Sequence, residues 1–307
     1  MKTVEEESSV KLAGVFPPIP TPFDRDGSVS LSGLKQNIEL LNRYDLSGYV
    51  VLGSNGEFVL LRQEEKLKTI ESVRESLPPG KLLIAGTGCE ATRETIDLSR
   101  AAAEAGADAV LVINPHYYKN TLDDASLIQH YTAVADASPI PVIIYNMPRS
   151  TGLDLDAQTV VSLSRHGNII GMKDSSGNLN KMSEILGKVG PDFQMLAGSA
   201  GFFLPALSLG AAGCVAALAN VAPATCIELY RAFQRGEVQR ARDVQVRIVG
   251  LNNLVTREGG VPALKAALDM VGLVGGMPRP PLLPISADMR KVLHSALSEL
   301  GLLPDSH

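Results

Sequence analysis

Short β-branched apolar runs recur along the chain with longer amphipathic stretches between them, so the hydrophobic period alternates between about two and about 3.6 residues. The runs occupy residues 11–16, 48–52, 82–85, 109–113, 141–145, 169–172, 194–196 and 214–217. Each is about as long as a buried strand. Their nearly unbroken apolarity marks parallel strands covered on both faces, the product of repeated βαβ units. Helix-start residues stand where crossover helices should begin: Ser30, Thr92 with Glu94, Asp123 and Asp124, Asp154, and Ser199. After Thr92, Ile96, Leu98, Ala101, Ala102 and Ala105 fall near helical spacing, and Gly106 sits where a C′ glycine ends a helix. Such repetition, with no Gly-x-Gly-x-x-Gly after the first run, predicts an α/β protein closed into a (β/α)8 TIM barrel rather than an open doubly wound sheet.

The barrel is expected over residues 10–235 as the catalytic domain, with its last helix at 222–233. Helical stretches follow at 239–254, 262–270 and 287–300, the last preceded by a proline-rich link at 277–284. Lacking any strand pattern, residues 236–307 read as a small C-terminal helical appendage for packing or subunit contact rather than chemistry.

Composition removes several classes of function. A chain of 307 residues that is 45% hydrophobic and 20% charged has the make-up of a globular enzyme. Its 28 Lys+Arg against 33 Asp+Glu leave a net charge of −5, without the basic stripe that nucleic acid or anionic lipid demands. Cys89, Cys214 and Cys226 are odd in number and lack Cys-x-x-Cys spacing, which argues for reduced thiols and against a disulfide framework. Residues 1–9 carry neither an apolar signal core nor an Arg-rich amphipathic pattern. The longest apolar stretch, 204–221, is broken by Pro205, Ser208 and Asn220, so a cytoplasmic chain without a membrane span is expected.

In such a barrel, chemistry sits at the C-terminal ends of the strands. The sixth run leads into Lys173 and the fifth ends in Tyr145. Neighbouring strand ends lie about 5 Å apart, so an amine and a phenol there can address one substrate atom. An ammonium desolvated at a barrel mouth has its neutral form favoured, and that form attacks carbonyls to make imines. Taken singly, Lys173 reads first as snorkelling or paired with a carboxylate such as Asp174, and Tyr145 as a core-edge tyrosine. After the second run, Gly53 and Gly56 flank Ser54 and Asn55 in a tight turn whose backbone N–H groups suit a small carboxylate. Tyr117 and Tyr118 follow the fourth run and are expected to face the same mouth. The five histidines are scattered and share no ligand spacing, so no metal is expected. No Gly-x-Ser-x-Gly elbow supplies a nucleophilic serine.

Three motifs in order, Gly53-Ser54-Asn55-Gly56-Glu57, Tyr145-Asn146-x-Pro148 and Gly171-x-Lys173-Asp174-Ser175, make the chain resemble the pyruvate-dependent class I aldolases that include dihydrodipicolinate synthase and N-acetylneuraminate lyase. The resemblance spans about residues 12–300. It implies that Lys173 forms the Schiff base, Tyr145 shuttles protons, and Ser54 and Asn55 bind the keto-acid carboxylate. It also implies that Tyr117, with Tyr118 the alternative, reaches into a neighbouring subunit of a homodimer or homotetramer. Ser175 and Ser199 are implied for a distal carboxylate, and Val215 as pocket lining through its backbone. No dissociable cofactor is implied. Synthases of this family usually carry an arginine where this chain has Ser150, with Arg149 one place earlier. That departure, with Phe58, Gly88-Cys89-Glu90, Thr151-Gly-Leu-Asp154 and 196–202, resembles the 4-hydroxy-2-oxoglutarate aldolase branch, whose products are pyruvate and glyoxylate. The rivals are a dihydrodipicolinate synthase, a 2-keto-3-deoxy sugar acid aldolase, and a non-catalytic barrel that senses a keto acid.

Overall fold

Each apolar run overlaps a strand: β1 Gly14–Phe16, β2 Gly48–Val51, β3 Leu82–Gly86, β4 Ala109–Ile113, β5 Val142–Asn146, β6 Ile169–Asp174, β7 Gln194–Ala197 and β8 Gly213–Val215. The computed structural model describes residues 10–304, so the reading of residues 1–9 lies outside the described residues, as does His307. All ladders are parallel, in the order β2-β3-β4-β5-β6-β7-β8-β1. Closure between β1 and β2 runs through Ser47 N–H to Val15 O at 3.1 Å, Val50 N–H to Pro17 O at 3.1 Å and Ile19 N–H to Val50 O at 2.8 Å. The result is a (β/α)8 barrel.

Side-chain alternation divides the core. Phe16, Val50, Ile84, Leu111, Ile143, Leu196 and Val215 fill the barrel interior. Their chain neighbours Val15, Val51, Leu83, Val112, Ile144, Met195 and Cys214 pack outward against the helices. Both sets are apolar because both faces of every strand are covered. The first run forms a strand only from Gly14. Gln194 takes the Leu12 N–H on its Oε1 at 2.6 Å and donates to Val10 O at 2.9 Å, so a side chain replaces the ladder there.

Two predicted helix starts are differently used. Asp123 caps the helix Asp124–Ala137 by accepting from Ser126 N–H at 2.8 Å. Asp154 does not cap the helix Ala157–Leu163; Asp156 does, accepting from Thr159 N–H at 2.6 Å. Beyond the barrel helix Pro223–Gln234, the helices Val238–Asn253 and Gly260–Met270 are joined by a π-helical turn, Leu254–Glu258. Val244, Ile248, Leu264 and Leu268 from these helices join the outer core. Among the described residues no helix is long and apolar enough to cross a membrane.

Candidate active site

Strand parity decides which residues reach the barrel mouth from inside. Met172 points outward, so Lys173 points inward beside Tyr145, its register partner across β5 and β6. Lys173 Nζ lies 4.0 Å from the centroid of the Tyr145 ring, and each residue is only 4% exposed. The ring face offsets part of the ammonium's lost hydration. Burial alone would raise the Tyr145 phenol, but the Lys173 charge and the polar groups of Ser54, Lys173 and Ser175 outweigh it and hold the phenol below its ordinary value.

The same parity turns Asn146 and Asp174 outward, where they lock the two strand ends together. Asn146 Nδ2 donates to Asp174 Oδ1 and to Asp154 Oδ1, each at 2.7 Å, and Asn146 Oδ1 accepts from Leu155 N–H at 3.0 Å. Lys181 pairs with Asp154 and lies 3.8 Å from Asp174. Ser176 donates its hydroxyl to Asp174 Oδ2 at 2.7 Å. Asp154, expected to cap a helix, is thus part of the charge cluster behind the lysine.

Ser54–Gly56 form one 3₁₀ turn after β2, and Ser54 Oγ lies 3.2 Å from the Tyr145 hydroxyl. Gly53 O and Ser54 O accept from the N–H groups of Gly56 and Glu57. The left-handed conformations of this turn belong not to its glycines but to Leu52 at φ 57° and Glu57 at φ 54°. Gly198 lets Ser175 approach, since a Cβ there would stand 2.0 Å from Ser175 Oγ. Ser199 accepts from Gly201 N–H and donates to Asn252 Oδ1, both at 3.2 Å.

A cavity of about 730 Å³ opens above Lys173, within the size range of small-molecule sites. Ser54, Asn55, Tyr145, Lys173, Ser175, Ser199 and Val215 all line it. Tyr117 does not. Within one chain it is 77% exposed, edge-on to Tyr118 at 5.1 Å. Glu90 Oε2 draws its loop toward the end of β3 by accepting the backbone N–H groups of His116 at 3.0 Å and Tyr117 at 2.8 Å. The sequence reading missed a whole wall. Asn252, Thr256, Arg257 and Val261, all from the tail expected to be remote from chemistry, line the cavity with Arg149. Arg149 Nη2 donates to Arg257 O at 2.6 Å. The only sequence signals for this wall are the Asn252-Asn253 pair and Gly259-Gly260, which interrupt an otherwise periodic helix.

Comparison with known proteins places the chain and its fold among related enzymes. The chain is 37% identical over 293 residues to "4-hydroxy-tetrahydrodipicolinate synthase" of Methanococcoides burtonii, covering 94% of this chain and 99% of that protein. It is 39% identical over 291 residues to "Probable 4-hydroxy-2-oxoglutarate aldolase, mitochondrial" of Emericella nidulans, covering 93% and 94%. The crystal structure of dihydrodipicolinate synthase from Aquifex aeolicus superposes with a TM-score of 0.91 at 32% identity, over 96% of this chain and all of that one. Residues 11–300 match the dihydrodipicolinate synthetase family, and the chain belongs to that family of pyruvate-dependent lyases.

Proposed function

We propose that the chain cleaves 4-hydroxy-2-oxoglutarate to pyruvate and glyoxylate through a Schiff base on Lys173. The observation that carries this reading is the buried line from Lys173 over the Tyr145 ring to the Ser54 hydroxyl at the cavity floor. Lys173 attacks the C2 ketone and water leaves, giving a protonated imine that serves as electron sink. Removal of the C4 hydroxyl proton then lets the C3–C4 bond break, and glyoxylate departs. Tyr145 returns a proton to the enamine at C3, and water hydrolyses the imine to release pyruvate. Ser54 and Asn55 hold the C1 carboxylate, while Ser175 and Ser199 hold the distal one. Val215 closes the pocket floor. In a homodimer or homotetramer, the exposed Tyr117 reaches the partner's cavity. The catalytic groups sit on the barrel, residues 10–235, with the tail as a wall.

Ser150, where synthases of the family usually carry an arginine, supports cleavage over condensation. A second reading, condensation of pyruvate with aspartate semialdehyde, is favoured by Arg149, which lines the same cavity one position earlier. Borohydride trapping with pyruvate, read by peptide mass in wild type and Lys173→Ala, followed by glyoxylate release from 4-hydroxy-2-oxoglutarate, tests the proposal. An adduct at Lys173 with rapid glyoxylate release is expected. Trapping without cleavage, but with turnover of aspartate semialdehyde, selects the second reading; the absence of an adduct removes both.

A further inference from the structure

Behind the Ser54–Asn55 turn lies a second buried ion pair that the reaction does not use. Glu57 closes the turn in the left-handed region, at φ 54° and ψ 34°. That conformation strains a residue that carries a Cβ. Leu52, on the other side of the turn, is left-handed as well. A strained segment persists only where its surroundings hold it, and here most of the holders come from the tail. Lys265 Nζ stands 2.6 Å from Glu57 Oε1, with the two side chains 0% and 1% exposed. Lys265 also donates to Met277 O at 2.9 Å and lies 4.2 Å from the centroid of the Phe23 ring. Burial pushes its ammonium below the ordinary value even with Glu57 beside it. Glu57 Oε2 accepts the Arg279 backbone N–H at 2.8 Å. The Arg279 guanidinium spans Glu65 at 2.7 and 2.8 Å and Leu60 O at 2.8 Å. From the barrel side, Thr21 Oγ1 donates to Gly56 O at 2.8 Å.

We infer that the Glu57–Lys265 pair, braced by Arg279, holds the strained turn so that Ser54 and Asn55 meet the substrate carboxylate, making Glu57, Lys265 and Arg279 positioning residues of the site. The inference rests on the reading that pyruvate forms an imine on Lys173 with its carboxylate at this turn. A pair that served stability alone could be exchanged for a neutral one without effect on substrate affinity.

The test is the pyruvate dependence of borohydride trapping at Lys173, with Tm measured alongside, in wild type, Glu57→Gln, Lys265→Met and the double variant. Each single variant leaves one buried charge unpaired and lowers Tm, and the double variant recovers most of that loss. The pyruvate concentration for half-maximal trapping is expected to stay raised by at least about tenfold in the double variant, with the plateau at saturating pyruvate retained. A double variant with wild-type Tm and wild-type half-saturation overturns the inference alone. Wild type that forms no adduct at Lys173 overturns the reading beneath it as well. Should the pair variants not fold, Arg279→Lys, which leaves the pair in place, carries the same test: raised half-saturation at unchanged Tm supports positioning, and unchanged half-saturation overturns it.

Discussion

The floor and the wall of the cavity are built on opposite principles. The floor is the ends of β5 and β6, where Tyr145 and Lys173 are 4% exposed and the outward Asn146 and Asp174 are fully buried. Every side chain there is tied to the next by register, parity or charge. The wall comes from the π-helical turn Leu254–Glu258 and its neighbours, where Arg257 is exposed and meets the barrel through a single bond from Arg149 to its carbonyl. Regular strands hold reacting atoms to within fractions of an ångström, whereas an irregular turn between two helices changes shape or sequence without disturbing the barrel. On the proposed reaction, the floor carries the chemistry and the wall selects what lies beyond the keto acid.

Substitutions in the floor should separate it sharply from the wall. Tyr145→Phe is expected to lower kcat for glyoxylate release by about 10²–10⁴-fold, the range of one general acid–base group, while mass spectrometry still finds the pyruvate adduct on Lys173. Activity retained within a few-fold would move proton transfer away from the floor. Asp174→Ala reaches the same strand ends from behind. It strips a buried carboxylate from Asn146, Ser176 and Lys181, and urea unfolding should register a loss of about 3 kcal/mol, the low end for breaking a buried pair. A loss below about 1 kcal/mol would mean that backbone pairing alone fixes the lysine.

The floor was legible in the sequence and the wall was not, for a physical reason. Strand ends follow from short-range apolar patterning, and parallel register then sets Tyr145 against Lys173 without further information. Where a partner comes from afar, patterning fails. Asp154 and Asp156 offer the same helix-starting carboxylate two residues apart, and the choice is made by Lys181 and Asn146, on other elements. The start of β1 is displaced by Gln194, more than 180 residues away in the chain. Arg257 reads as one more charge on a tail helix, because nothing in periodicity marks a π-helical turn. Tyr117 stands outside the cavity of its own chain, so its assignment rests on family resemblance alone.

The wall has its own expected signature. Arg257→Ala should leave stability within about 0.5 kcal/mol, as for other exposed positions, and leave pyruvate trapping at Lys173 untouched. Its effect should fall on KM for 4-hydroxy-2-oxoglutarate, raised by about three- to tenfold through loss of a cation at the cavity rim, with kcat unchanged. Steady-state kinetics on the cleavage reaction decide this. A fall in kcat at constant KM would place the wall in the chemical step and dissolve the distinction.

The finest contrast is in pH dependence. The Tyr145 phenol is held below the ordinary tyrosine value, because the Lys173 charge and the surrounding hydroxyls outweigh the raising effect of burial. In the window between that lowered folded value and the unfolded value of about 10, the unfolded chain binds more protons at this residue. The Tyr145 contribution to stability therefore grows as pH rises across the window and is lost as pH falls through the folded value. For catalysis the consequence runs the other way: the proton-donating phenol is depleted as pH rises through the folded value. The alkaline limb of kcat/KM for glyoxylate release, which reports the free enzyme, is expected below pH 10 in wild type, preserved in Arg257→Ala and absent from the residual activity of Tyr145→Phe. A limb that persists unchanged in Tyr145→Phe would assign the titration to another group and separate the proton donor from the floor.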